Sequence, residues 1–92
     1  MNKLTAKVLE VIERSKHISE TFHPRCGNYV SSYVYVLGDL TLDRYNGILK
    51  VMYGASEIGF IRNADYEIVC AALHDKQKLI KNNALNQFLD RG

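Results

Sequence analysis

The chain has 92 residues, 47% of them hydrophobic and 24% charged. That balance suits one soluble domain around a single core, spanning residues 1–92, and excludes a disordered polyelectrolyte. A net charge of +2 is too small to demand a polyanionic partner, and it excludes a protein that mimics nucleic acid through dense negative charge.

The opening segment "MNKLTAKVLEVIERSK" interleaves charges with apolar residues, which is not how a signal peptide reads. Leu4, Val8, Val11, Ile12, Ser15, Ile18 and Phe22 recur at helical spacing and predict an amphipathic helix. Asn2 is suited to cap its start, and Glu10 and Arg14 sit four apart in the favourable order. The helix is expected to end between Ser19 and Phe22, because Pro24 disfavours helical backbone at His23.

The next stretch, "TFHPRCGNY", carries the only proline and one of two cysteines. His23 and Cys26 here, with Cys70 and His74 downstream, make the donor set of a split zinc site. Two features weigh against that reading. The spacing is looser than structural zinc sites favour, and Cys70 falls inside an apolar stripe, where a free cysteine acts as a small hydrophobe. Cys26 beside His23 and Arg25 also invites a nucleophile reading, but no oxyanion motif or strand-to-helix elbow accompanies it. A loop from helix to strand is the simpler reading. Neither a metal nor a cofactor is expected, and free thiols in a cytoplasmic setting are.

The middle reads "YVSSYVYVL", then Gly38-Asp39, then "LTLDRY", then Asn46-Gly47, then "ILKVMY". Asn-Gly is a strong hairpin signal, because a type I′ turn needs positive φ at both positions; glycine first suits a type II′ turn at Gly38-Asp39. Two tight turns predict a three-stranded antiparallel meander with Leu40–Tyr45 in the centre. Counting outward from the turns opposes Leu37 to Leu40, Tyr35 to Leu42, Leu42 to Val51, Asp43 to Lys50 and Tyr45 to Ile48. One face then carries Tyr33, Tyr35, Leu37, Leu40, Leu42, Leu49, Val51 and Tyr53, with Arg44 the exception, and is expected to form the core. The other carries Val34, Val36, Thr41, Asp43, Tyr45, Ile48, Lys50 and Met52, with Asp43 and Lys50 expected to pair as ions in water.

"GASEIGFIR" reads as a short fourth strand or as a connector, its two glycines weakening either. A last helix is expected after Asn63, with Asp65 and Glu67 in the acid-favouring first turn. Its stripe is Tyr66, Val69, Cys70, Leu73, Ile80, Ala84 and Phe88, and Asn82-Asn83 is a point at which it would divide into a helix pair. The predicted class is α+β, with helices on one side of a sheet.

No phosphate-binding glycine loop is present, so no nucleotide cofactor is expected. The order helix, three strands, helix is also that of double-stranded-RNA-binding domains, but the position where those carry lysines reads "NADYE" here. A nucleic-acid reading therefore falls on Arg44, Lys76, Lys78 and Lys81, the three lysines lying mid-helix. The leading expectation is a non-enzymatic protein-interaction module, with no membrane role. It would serve as a regulator, adaptor or inhibitor of a larger complex, of a size that phages and mobile elements often encode. Val34, Val36, Tyr45, Ile48 and Met52 on the open sheet face, with an edge strand, would hold a protein partner or a second copy of the chain.

Overall fold

A computed structural model describes residues 1–91. The chain runs through α1 (Lys3–Arg14), β1 (Ser19–His23), β2 (Ser32–Leu37), β3 (Leu40–Tyr45), β4 (Ile48–Tyr53), β5 (Ser56–Ile61) and α2 (Asn63–Arg91). The strands form one antiparallel meander in sequence order, β1-β2-β3-β4-β5. The class is α+β, as the sequence predicts. The sheet has five strands rather than three or four.

The central register matches the count from the turns. Leu37 opposes Leu40, Tyr35 opposes Leu42, Leu42 opposes Val51, Asp43 opposes Lys50 and Tyr45 opposes Ile48. Asn46 and Gly47 have φ of 49° and 74°, as a type I′ turn requires. At the preceding turn only Gly38 is positive, at 63°, which is the type II′ pattern.

Helix α1 ends well before the stop between Ser19 and Phe22 that its apolar spacing predicts. The helix stops at Arg14, and Ser15 turns extended at φ −72°, ψ 135°. The Ser15 hydroxyl donates to the Val11 carbonyl at 2.7 Å and its N–H donates to the Ile12 carbonyl at 3.2 Å. From α2, Lys76 Nζ donates to the Glu13 carbonyl at 2.6 Å. With its terminal carbonyls satisfied by Ser15 and by Lys76, the chain is free to extend. Ser19–His23 then pairs with Ser32–Val36 as the first strand. The apolar spacing of Ile18 and Phe22 therefore belongs to a strand approach, and the extended backbone favoured before Pro24 reaches back through His23.

"GASEIGFIR" is the fifth strand, and each glycine has a defined job. Gly54 has φ 58° in the turn between β4 and β5. A Cβ on Gly59 would stand 3.1 Å from Leu4 Cδ2, so the missing side chain lets α1 pack close. A register shift at Val51/Met52 bulges this pairing.

The core lies between the sheet and the helices. Val8 and Ile12 of α1 and Val69 and Leu73 of α2 close over Tyr35, Leu37, Leu40, Leu42, Leu49, Val51 and Ile61. Tyr33 and Tyr53 share that sheet face but are 36% and 59% exposed. Thr5, fully buried, joins the helices: its hydroxyl donates to Asp65 Oδ2 at 2.9 Å, and its N–H donates to the Asn2 cap at 2.8 Å. α2 runs unbroken through Asn82-Asn83 as one helix rather than a pair, and every residue from Lys81 to Arg91 is exposed.

Candidate functional site

Because both helices bury themselves on one sheet face, the other face is left without a helix over it. Val34, Val36, Tyr45, Ile48 and Met52 all lie there, as strand alternation requires. None is fully buried; Val36 is 39% exposed and the others are half-buried by their sheet neighbours. β5 adds Phe60, which pairs opposite Lys50 and so shares this face. The Arg62 guanidinium lies 5.3 Å from the Phe60 ring centroid. Sequence reading missed Phe60, because the face of a strand can be assigned only once the strand is recognised. The signal was alternation in "GFIR" after the Gly54 turn.

At the centre of the face stand Asp43 on β3 and Lys50 on β4, directly opposed. The expected ion pair between them does not form. Lys50 Nζ instead reaches sideways to Glu57 Oε2 at 4.0 Å. Asp43 Oδ1 is shut from solvent and has no hydrogen-bond partner. A carboxylate oxygen in that condition has lost water without gaining a donor, and it is costly until a cation or N–H reaches it.

One end of the face is walled by the β1–β2 loop. Cys26 and Tyr29 exchange backbone hydrogen bonds at 3.2 and 2.9 Å around Gly27, whose φ is 57°. The loop and strands enclose an open hollow of about 560 Å³, with His23, Cys26, Tyr29, Asp43, Tyr45 and Lys50 on its lining. "HPRC" is thus the start of a small hairpin tip.

The four donors of the split zinc site are not brought together. His23 and Cys26 line this hollow, whereas Cys70 lies on the helix-covered side, close to Arg44 and Tyr66. The sheet stands between the two pairs. Among the described residues no three His, Cys, Asp or Glu side chains cluster as metal ligands, and both thiols are free.

The four cations of the nucleic-acid reading are also divided. Arg44 lies on the helix side, its guanidinium 4.6 Å from the Tyr33 centroid and 5.7 Å from that of Tyr35. Burial works to lower its pKa, but Tyr35 and Cys70 outweigh that, so it is raised and the charge is held. Lys76 is engaged at the end of α1, while Lys78 and Lys81 are exposed on α2. Phe22 packs against Tyr33 with the rings tilted by 46° and centroids 4.9 Å apart, so Arg44 belongs to an aromatic cross-strand ladder rather than to a lysine face.

β1 is the outer strand on one side, and all five of its residues are exposed. It has no proline and no bulge, whereas β5 on the other edge is bulged against β4. Among the described residues no helix is long and apolar enough to cross a membrane. No protein-family model matches the sequence, and neither a curated protein nor a solved structure is similar to it.

Proposed function

We propose that this protein is a non-enzymatic interaction module that engages a protein partner through the open sheet face, extended by the free edge of β1. The observation that carries the reading is the two-faced sheet. One face is closed by both helices, while the other presents Val34, Val36, Tyr45, Ile48, Met52 and Phe60 around a central charged pair. Apolar and tyrosine side chains are what interfaces favour, and the two charges among them can fix the register of a partner. The unbulged β1 edge supplies backbone donors and acceptors for an added strand. Regulation, adaptation or inhibition of a larger assembly is the role such a surface supports.

The test is capture of partners by the tagged protein from its native extract, with and without nuclease, repeated with Val36→Asp and Met52→Asp. A stoichiometric protein that survives nuclease and falls at least about tenfold with either aspartate is the expected result. Both variants should keep the wild-type circular dichroism, since neither side chain is in the core. Capture unchanged by both substitutions would overturn the reading.

A further inference from the structure

We infer that the open face is the surface on which two copies of this chain pair, sheet to sheet, about a two-fold axis running along the strands between β3 and β4. The inference rests on reading that face as an interface, and it names the occupant.

Such an axis carries β3 of one copy over β4 of the other, which sets Asp43 against Lys50 of the second copy, twice. Within one chain those two residues are neighbours yet make no ion pair, with Lys50 only loosely drawn to Glu57 at 4.0 Å. An acid and a base opposed across the midline are complementary to their own copies under such an axis, while Glu57 lies farther out on β5. An unrelated partner would need to bring the opposite pattern.

The apolar residues follow the same symmetry. Tyr45 meets Ile48 of the second copy, Thr41 meets Met52, and Val34 meets Phe60, because each pair lies at one level on strands equidistant from the axis. Aligned sheets cross at about −30°, so the fit is closest for the pairs beside the axis, where Asp43 and Lys50 are.

The overlap area sets the strength of the pairing. About that axis β2–β5 of the two copies overlap and β1 overhangs on each side, so four strands about 4.8 Å apart, with about 20 Å of length each, give a footprint of roughly 400 Å² per copy. Pairing then removes on the order of 800 Å² in total, the size of a weak, transient contact rather than of a permanent one. The dimer is accordingly a reversible one. The β1 edge stays free in it, so a dimer can still accept an added strand.

The test is sedimentation equilibrium of the full chain from about 1 to about 500 µM. Wild type is expected to pass from one chain to two across that range. Asp43→Lys alone leaves base facing base, and Lys50→Asp alone leaves acid facing acid, so each should weaken pairing by at least about tenfold. Mixed in equal amounts the two variants should form a heterodimer, since every cross-pair is then opposite in sign. Circular dichroism of each variant separates loss of pairing from loss of fold. A wild-type chain that stays single at the highest concentration overturns the inference. So does a dimer indifferent to both substitutions, which would lie elsewhere, for instance on the exposed end of α2. If the chain stays single while Met52→Asp still abolishes capture of another protein, the face remains an interface and only the second copy is removed as its occupant.

Discussion

Tyr35 is 3% exposed beneath the helices, and burial pushes its phenol up to about 12, with Arg44 opposing and Glu20 adding to the rise. The unfolded chain titrates this group near 10. A raised acid pKa means that the folded state holds the proton longer. Its contribution is therefore fully present below pH 10 and is lost as pH climbs through about 12. Denaturant unfolding between those pH values should show stability falling for wild type and falling less steeply for Tyr35→Phe. Gly59 makes a second prediction at this scale. With Leu4 Cδ2 only 3.1 Å from where a Cβ would stand, Gly59→Val should cost about 1–3 kcal/mol, read as a drop of several degrees or more in Tm. Thr5→Val keeps the volume but removes the hydroxyl that donates to Asp65, and about 1 kcal/mol should be lost in the same assay.

Among the elements, α2 is the uneven one. Its first half buries Val69 and Leu73, whereas Leu85, Phe88 and Leu89 are 53%, 73% and 62% exposed. The apolar spacing does continue from Leu73 through Ile80 and Ala84 to Phe88, but the sheet gives it nothing to pack on there. Leu73→Ala should cost about 2–5 kcal/mol as a buried truncation, and Phe88→Ser should stay within about 0.5 kcal/mol. A helical end of this length is marginal without tertiary support. Amide exchange should accordingly be slow around Val69 to Leu73 and fast from Lys81 onward. The contrast between α1 and β1 has a similar cause. Ile18 and Phe22 fit a helical stripe in one dimension, yet Ser15 and Lys76 close the helix before they are reached.

The whole molecule is a sheet with one dry face and one open one, and this division governs what its residues can do together. His23 and Cys26 are held on one side and Cys70 on the other, so a metal site from these four would need the sheet removed from between them. Chelator and His23→Ala are each expected to leave Tm unchanged. Arg44 and the α2 lysines are likewise placed in different surroundings. Charge reversal at Lys78 and Lys81 should leave capture of a protein partner intact, and Met52→Asp should abolish it. The pull-down described above distinguishes the two.

Much of the central architecture was readable along the chain, because its causes are local. Asn46-Gly47 and Gly38-Asp39 dictate tight turns by their backbone freedom. Two-residue turns then set the register, and strict alternation divides Tyr35, Leu42 and Val51 from Val34, Asp43 and Lys50. That same count placed Val34, Val36, Tyr45, Ile48 and Met52 together on the open face. What only the tertiary structure decided depends on groups far apart in sequence. The donor that helps end α1 comes from Lys76, the strand that completes the sheet edge is stabilised by pairing with β2, and Gly59 is required by a leucine at the other end of the chain. The departure of Lys50 toward Glu57, and hence the orphaned Asp43, follows from a fifth strand that is recognised only when it pairs. Local backbone chemistry determined the meander; long-range packing determined where its helices stop, which face they cover and which charges are left waiting on the other.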